Sequence, residues 1–286
     1  MKTIKEEEAS LQKVEDTPKQ EPIVLREVEI LSDDYIIDDE TYFADKKYVT
    51  NSMLKNLLTG STLDINHYLN AERSETESLI VGSAFHCLLL EPEEFNKRYV
   101  YEPKFDKRTK VGKEAYAEFE KTLDGKKPVP EKYEDIFTSM LMNLRTHKAA
   151  QSLLASTKNK EVIHFFKDKK TGLECKGKVD AEGDDFIIDV KTTSKGVDMK
   201  SFQKFANDYH LTQQAAFYCN ATAKKHFFFV MFQLKAPYNI AVYKMSNNAI
   251  NFGNYYVDTT LSLYKEWKDS GESYIQHVNG GEIVVI

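Results

Sequence analysis

The chain has 286 residues, of which 41% are hydrophobic and 12% aromatic, as in an ordinary globular protein of one or two domains. No apolar stretch approaches the ~20 residues that a membrane span requires, and the start MKTIKEEEAS lacks the apolar segment of a signal peptide. We therefore expect a cytoplasmic protein with no membrane partner. The cysteines, Cys87, Cys175 and Cys219, are too few and too far apart for a disulfide framework or an iron–sulfur cluster.

The formal net charge of −6 is unevenly distributed along the chain. Residues 1–45 hold 5 Lys/Arg and 14 Asp/Glu, whereas residues 46–286 hold 34 and 31, a net charge of +3. An acidic arm therefore precedes a mildly basic body, and the whole-chain charge does not exclude nucleic acid as a partner. We expect residues 46–286 to form the folded domain.

The arm, residues 1–45, has two parts. Residues 1–22 are polar and poor in apolar periodicity, which predicts disorder, and residues 23–45 are expected to be loosely attached. Three roles are open: a solubilising tail, a docking peptide for a partner, or a DNA mimic that lies in a basic groove. The short apolar clusters IVL and YII favour the docking peptide.

Helical patterns dominate the chain up to residue 156. VTNSMLKNLLTG predicts a short helix with a polar cap and a glycine stop, and residues 75–91 predict an apolar helix that ends before Pro92. Residues 104–121 predict a basic loop that leads into an amphipathic helix, and residues 132–156 predict one more helix.

From residue 161 the pattern changes to short strands. EVIHFF, LECKGKVD and FIIDVK predict three consecutive strands, with turns at DKKTG and EGDD. FANDYHLTQQAAFYCNATA predicts a helix, HFFFVMFQL and NIAVYKM predict two strands, and a long helix follows up to about Trp267. This order predicts an α/β fold with a central mixed β-sheet flanked by helices.

The charged residues of FIIDVK are unusual for a central strand. If the EGDD turn has four residues, Asp180 pairs with Ile187, and side-chain alternation places Asp180, Asp189 and Lys191 on one face of the sheet. Burying such charges costs several kcal/mol each unless they are compensated, and Mg²⁺ prefers carboxylate oxygens. A solvated face or a salt bridge would give the same spacing, so both interpretations stay open at this point.

VDAEGDDFIIDVKTT resembles the core motif of the PD-(D/E)XK nuclease superfamily, in which one acid precedes a hairpin and another lies two residues before a lysine. GSAFHCLLLEPEEFNKRYV is similar to the histidine-bearing helix of exonuclease VIII (RecE)-like and RecB-like nucleases. RTKVGKEAYAEFE resembles the basic segment after that helix in the RecE-like group, and QAAFY fits the QxxxY motif. The resemblance extends from about residue 50 to residue 265. It implies a restriction-endonuclease-like nuclease fold.

The resemblance also implies a metal site and a catalytic lysine. Asp180 and Asp189 would be metal ligands, His86 would complete the metal sphere, and the carbonyl of Val190 would be a further donor. Lys191 would be the catalytic lysine. From the residues alone, a histidine on an apolar helix is more often an ordinary core residue.

Three further residues have roles implied by the resemblance. Gln214 and Tyr218 lie one helical turn apart, so both would face the scissile phosphate as catalytic residues. Glu161 opens the strand sequence at a position where many relatives have an acid. It would contact the metal ligands without binding the metal itself. Helix packing and an exposed strand end remain the alternatives for these three residues.

The densest basic cluster lies around the start of the amphipathic helix and comprises Lys104, Lys107, Arg108, Lys110 and Lys113. Charge runs are commonly just solvated. Because this run matches the basic segment of a DNA-cutting family, its members become candidate contacts to DNA phosphates.

The resemblance implies a Mg²⁺-dependent deoxyribonuclease, with Mn²⁺ as a substitute, that degrades double-stranded DNA from 5′ to 3′ for phage-type recombination in a bacterial cell. The implied partners are a single-strand annealing recombinase and further copies of the chain in a ring. No GxxxxGK[ST] loop is present, so we expect no nucleotide cofactor. The alternative is a catalytically inactive nuclease fold that binds DNA or regulates a partner.

Overall fold

A computed structural model describes residues 21–32, 39–71 and 75–281 of the chain. The strands are β1 Val28–Ser32, β2 Tyr99–Glu102, β3 Lys127–Pro130, β4 Asn159–Asp168, β5 Glu174–Glu182, β6 Phe186–Thr193, β7 His226–Gln233 and β8 Ile240–Lys244. The main sheet has six strands in the order β1-β4-β5-β6-β7-β8, and a separate parallel pair joins β2 to β3. All neighbours in the main sheet are antiparallel except β6 and β7.

Helices cover both faces of the main sheet, which confirms the predicted α/β fold with a central mixed sheet. In the described ranges, none of the helices is long and apolar enough to cross a membrane. The α-helices are α1 Asp39–Ala44, α2 Asn51–Lys55, α3 Thr62–Asn70, α4 Glu77–Leu90, α5 Pro92–Arg98, α6 Lys110–Lys121, α7 Lys132–Leu144, α8 Lys148–Ala155, α9 Met199–Asp208, α10 Leu211–Thr222 and α11 Asn247–Asp269.

The middle of the sheet is buried on both faces, as the apolar runs of β6 and β7 predict. On one face, Ile187 of β6 joins a core that includes Phe217 of α10 and Trp267 of α11. On the other face, Ile188 joins a core that includes Phe85 of α4. Because α4 and α10 lie on opposite faces, residues from both can reach the same end of β6.

The predicted register of the β5–β6 hairpin is wrong by two residues. Glu182 pairs with Ile187, whereas the sequence analysis paired Asp180 with Ile187. The turn is shorter because the backbone N–H of Gly183 donates to Phe186 O at 3.0 Å. A Cβ on Gly183 would lie 2.1 Å from the Phe186 ring, so a larger residue there would require this ring to move. The shift by itself preserves strand parity, but the pairing ends at Ala181 and Ile188, so it does not assign Asp180 and Asp189 to one face of the sheet.

Two predicted helices are each divided in two. The segment 132–156 breaks between α7 and α8, where His147 Nδ1 accepts a hydrogen bond from Ala150 N at 3.1 Å and caps α8. The segment predicted around FANDYHLTQQ breaks between α9 and α10 at His210, whose φ of 52° is left-handed. Such a backbone conformation ends α9 and reorients the chain before α10.

The prediction of a loosely attached arm is wrong for the described part of residues 23–45. Strand β1 pairs with β4 at the edge of the main sheet. Just before it, the Arg26 guanidinium lies 2.8 Å from Asp168 and 2.6 Å from Asp258. Since Asp168 is 1% exposed, this contact is a buried ion pair, and no local sequence pattern signals partners 142 and 232 residues away.

Helix α1 is anchored to the same sheet by an interior lysine. Lys176 of β5 is 1% exposed, and its ammonium donates to the carbonyls of Tyr42 at 2.6 Å and Asp45 at 2.7 Å. Residues 21 and 22 are also bound, because Asn247 and Asn251 donate to their carbonyls. Residues 1–20 and 33–38 lie outside the described residues, so the disorder predicted for residues 1–20 stays a prediction.

Replacing Arg26 with methionine tests this anchoring. The change leaves the buried Asp168 carboxylate without its cation, so we expect the free energy of unfolding to fall by about 3 kcal/mol. Arg108→Met is the matched control, because Arg108 is an exposed arginine and its loss is expected to cost less than about 0.5 kcal/mol. Urea denaturation measures both values, and equal losses for the two variants would contradict the anchoring role.

Candidate active site

The site lies where β5 and β6 stop pairing. Their backbone pairing ends at Ala181 and Ile188, and the next residues of the two strands are Asp180 and Asp189. The N–H of Val190 donates to Asp180 Oδ2 at 2.7 Å. A carboxylate oxygen therefore replaces a backbone acceptor at this point, which holds the Asp180 side chain in the gap between the strands.

Two further side chains reach Asp180 from separate elements. His86 of α4 places Nδ1 3.4 Å from Asp180 Oδ2. Glu161 of β4 lies opposite Asp180, because Lys160 pairs with Ala181 and Val162 with Val179. One ligand atom from each of His86, Glu161 and Asp180 lies within 4.8 Å of the others, which is the spacing that a shared metal ion requires. We call these three residues the acidic cluster.

Asp189 stands beside the acidic cluster with different partners. The ammonium of Lys191 lies 2.8 Å from Asp189 Oδ1 and 2.6 Å from Oδ2. The amide of Gln214, on α10, also donates to Oδ1. Oδ2 is buried and has the Lys191 ammonium as a close contact, without a hydrogen bond of acceptable geometry.

The two residues of the QxxxY motif occupy different surroundings. Gln214 is 5% exposed and contacts Asp189, as described above. Tyr218, one turn further along α10, packs its ring on Gly177 of β5, where a Cβ would lie 2.7 Å from Tyr218 Cε1. Burial raises the pKa of Tyr218 well above its usual value, and the Asp189 and Asp180 charges contribute to the rise. Tyr218 is therefore a neutral phenol at physiological pH.

Burial and crowded charges shift the pKa values of the site. Burial, and then the Asp189 charge, raise the pKa of Asp180 to about 7. Burial and the Asp180 charge raise the pKa of Glu161. Burial and the Lys191 charge lower the pKa of His86, which keeps the imidazole neutral. Burial opposes the charge on Lys191, but Asp189 and Asp180 outweigh it and raise the pKa of Lys191.

These residues fit a divalent cation. A neutral imidazole and two crowded carboxylates are ligands for Mg²⁺ or Mn²⁺, and a bound cation would relieve the repulsion that raises the carboxylate pKa values. The sequence analysis assigned Asp189 and the Val190 carbonyl to this metal and kept Glu161 as a supporting residue. In the structure Glu161, rather than Asp189, joins His86 and Asp180 in the acidic cluster. Roles for Asp189 and Val190 as ligands stay predictions.

Sequence reasoning missed two lysines at this site. Lys178 Nζ lies 2.6 Å from Glu161 Oε2, and Lys55 Nζ donates to Gln214 Oε1 at 3.3 Å. The first could have been found, because Lys178 lies two residues before Asp180 and so shares its face. The second could not, because Lys55 belongs to α2 and meets Gln214 only through the packing of α2 on α10.

The basic cluster is exposed and partly neutralised by its own neighbours. Lys107 lies 3.1 Å from Glu102 and over the ring of Tyr116, and Arg108 pairs with Asp106 at 3.0 Å. Lys110 lies 3.9 Å from Glu114. Among the described residues, the ion pairs and hydrogen bonds of these cations do not reach the acidic cluster. Contact with DNA phosphates therefore stays a prediction for this cluster.

Comparison with known proteins gives a family and a fold. A family model described as "PDDEXK-like domain of unknown function (DUF3799)" matches residues 50–276. A crystal structure described as "Putative exonuclease" from Eubacterium rectale matches with a TM-score of 0.61 and 15% identity, over 88% of this chain and 96% of that chain. At this identity the likeness shows the fold. None of the curated proteins matches the chain significantly.

Two other solved structures match with lower scores. The crystal structure of SSO0001 has a TM-score of 0.27 and 12% identity, over 78% of this chain and 86% of that chain. The structure of LHK-Exo in complex with dAMP has a TM-score of 0.37 and 10% identity, over 83% of this chain and 100% of that chain. Both TM-scores are too low to support an argument about this chain.

The raised pKa of Asp180 predicts that Asp180→Asn stabilises the metal-free protein at pH 8. In the unfolded chain an aspartate ionises near pH 4, whereas Asp180 ionises near pH 7 in the folded protein, so the folded wild type loses stability as the pH rises from 4 to 7. Asparagine cannot ionise, so the stability difference should be small at pH 4, grow across this window and be constant above it. Urea denaturation in EDTA measures the difference.

With a divalent metal bound, we expect the wild type to be more stable than Asp180→Asn. Mn²⁺ is expected to raise the melting temperature of the wild type and to have little effect on Asp180→Asn, because a ligand that binds the folded state stabilises it. Asp184→Asn, in the exposed hairpin turn, is the matched control and should behave as the wild type. An Asp180→Asn variant less stable than the wild type at pH 8 without metal would contradict the assigned cluster.

Proposed function

The chain belongs to the family of PDDEXK-like domains of unknown function (DUF3799), within the PD-(D/E)XK nuclease superfamily, and we propose that it is a divalent-metal-dependent deoxyribonuclease. The observation that carries the proposal is the meeting of His86, Glu161 and Asp180 within 4.8 Å, beside the paired Asp189 and Lys191. A core built only for stability has no reason to gather three carboxylates, since each costs free energy when it is buried without compensation.

The acidic cluster and Lys191 would divide the work of phosphodiester hydrolysis. A bound Mg²⁺ or Mn²⁺ would supply a water of lowered pKa and would neutralise charge on the scissile phosphate. Asp180, Glu161 and His86 are the residues that would hold the cation. Because its pKa is raised, Lys191 is charged at neutral pH and cannot accept a proton. It therefore acts as a cation that stabilises the negative charge developing on the phosphate in the transition state.

Gln214 and Asp189 position Lys191. The ammonium contacts both oxygens of Asp189, and the Gln214 amide holds the same carboxylate from the α10 side. Since two elements, β6 and α10, fix the direction of one ammonium, little reorganisation is needed when a phosphate enters. Tyr218 is a neutral phenol, and it can donate a hydrogen bond to a phosphate oxygen.

The finer parts of the proposal rest on the motif resemblance. The RecE-like and RecB-like segments favour a 5′-to-3′ exonuclease on double-stranded DNA that works with a single-strand annealing recombinase, and they favour a ring of identical subunits. The description of the Eubacterium rectale structure as a "Putative exonuclease" supports exonuclease over endonuclease action. Digestion of linear duplex, nicked circle and single strand, each with Mg²⁺ and with EDTA, separates these modes.

Lys191→Ala should lower kcat by about 10² to 10⁴-fold, the range for a positioned charge-stabilising or proton-transfer group. Asp189→Asn should also lose activity, because the asparagine side chain is neutral and cannot balance the Lys191 charge. The matched controls are Lys265→Ala and Asp184→Asn, which alter exposed residues on α11 and in the hairpin turn. The assay measures cleavage of linear duplex DNA with Mg²⁺, and the same reaction with EDTA is the negative control.

Two outcomes would contradict the nuclease proposal. Undiminished cleavage by purified Lys191→Ala would show that the activity belongs to another site or to a contaminant. A wild-type protein that binds duplex DNA but cuts none of the three substrates with Mg²⁺ or Mn²⁺ would favour a non-catalytic binding module.

Neutralising Arg108 and Lys110 together tests the basic cluster as a DNA contact. If both side chains touch phosphates, the slope of log K against log salt should fall by about 1.8, at about 0.9 per contact. Lys265→Gln with Lys268→Gln removes the same charge from exposed positions of α11 and is the matched control. Fluorescence anisotropy from 50 to 200 mM salt measures the slope, and an unchanged slope would mean that the cluster is only solvated.

A further inference from the structure

Lys55 is the last residue of α2, and it points inward although it carries a charge. Thr50 caps this helix by accepting a hydrogen bond from Met53 N at 3.2 Å. Leu54 and Leu57, on either side of Lys55, are fully buried in the core under α10. The side chain of Lys55 is half-buried, and its ammonium reaches α10, where it donates to Gln214 Oε1.

The two ends of the Gln214 amide have different partners. The NH₂ group donates to Asp189 Oδ1, and the oxygen accepts from Lys55 at 3.3 Å. A flipped amide would place its oxygen against the Asp189 carboxylate and its NH₂ against an ammonium, which is two repulsive contacts in place of two hydrogen bonds. Lys55 and Asp189 together therefore allow one orientation of this amide.

The contact links α2 to the reacting centre through a chain of hydrogen bonds. Lys55 donates to Gln214, Gln214 donates to Asp189, and Lys191 donates to the same oxygen of Asp189. Oδ1 accepts from two donors, and Oδ2 lies 2.6 Å from the Lys191 ammonium. The chain of hydrogen bonds thereby fixes the orientation of the Asp189 carboxylate.

Burial is costly for an ammonium whose hydrogen-bond partner is a neutral amide. Burial, and then the nearby Lys191 charge, lower the pKa of Lys55 to about 8, while Asp189 opposes the shift. Most Lys55 side chains are therefore still charged at neutral pH, and the hydrogen bond to Gln214 is charge-assisted. A lysine that served only to cover apolar surface would extend its ammonium into water.

We propose that Lys55 is a positioning residue for phosphodiester cleavage, which it serves by fixing the Gln214 amide and, through it, the Asp189 carboxylate. The assignment rests on the nuclease function proposed above. Lys55 itself does not touch the acidic cluster in the described contacts, so its effect should pass through Gln214.

Lys55→Met keeps the aliphatic chain and removes the ammonium. We expect kcat to fall by about tenfold to a hundredfold, the range for a lost charge-assisted hydrogen bond, with KM changed by less than about threefold. Lys55→Arg retains a cationic donor and should recover most of the loss. The matched control Lys265→Met, on the exposed face of α11, should have the kcat of the wild type. Circular dichroism melting identifies any variant that fails to fold.

A double-mutant cycle with Gln214→Ala decides between action through Gln214 and a separate role for Lys55. If Lys55 acts only through Gln214, Lys55→Met should change kcat by less than about twofold once Gln214 is alanine. Losses that multiply across the two sites would overturn the assignment, as would a Lys55→Met variant with wild-type kcat. A raised KM with unchanged kcat would also overturn it, because it would indicate a direct contact with DNA.

The cycle also separates this assignment from the proposed nuclease function. If the wild type cuts DNA and the two losses multiply, only the role of Lys55 is refuted. If the wild type cuts no DNA with either metal, the nuclease proposal fails, and the positioning role for its reaction fails with it.

Discussion

The carboxylates of Glu161, Asp180 and Asp189 lie in one patch of a sheet whose surroundings are apolar, and their repulsion is the constraint that organises the site. Burial and mutual charge raise the pKa values of Asp180 and Glu161. Within the described residues, Lys178 and Lys191 offset part of this charge by pairing with Glu161 and Asp189. Asp180 has a neutral imidazole and a backbone N–H as partners, so it is the position where a further cation is most stabilising.

The fold meets this constraint by opening the sheet locally. Because β5 and β6 stop pairing beyond Ala181 and Ile188, Asp180 occupies the gap and binds the backbone of β6. Helix α4 supplies His86 from one face, and α10 supplies Gln214 from the other. The site therefore depends on both hydrophobic cores, since each core fixes one of these helices against the sheet. Loosening either core would displace a residue of the site without changing its chemistry.

Local periodicity was enough to bring Asp180, Asp189 and Lys191 together, but it could not place Glu161. The closeness of Asp180, Asp189 and Lys191 follows from their positions on neighbouring strands, so it survives a register that is wrong by two residues. Glu161 could be placed opposite Asp180 only once the pairing of β4 with β5 was known. The anchoring of residues 21–32 was not predictable, because it depends on Arg26 meeting Asp168 and Asp258 across most of the chain. From composition alone, residues 23–45 were expected to be acidic and loosely attached to the folded domain.

Pulsed electron paramagnetic resonance on the Mn²⁺-loaded protein shows whether His86 joins Glu161 and Asp180 around one divalent cation, because a coordinated imidazole couples its nitrogen nucleus to the unpaired electrons of Mn²⁺. We expect a nitrogen coupling from a single imidazole that disappears in His86→Gln and persists in His210→Gln, whose exposed histidine lies between α9 and α10. A bound Mn²⁺ without nitrogen coupling, or a coupling unchanged by His86→Gln, would contradict this expectation.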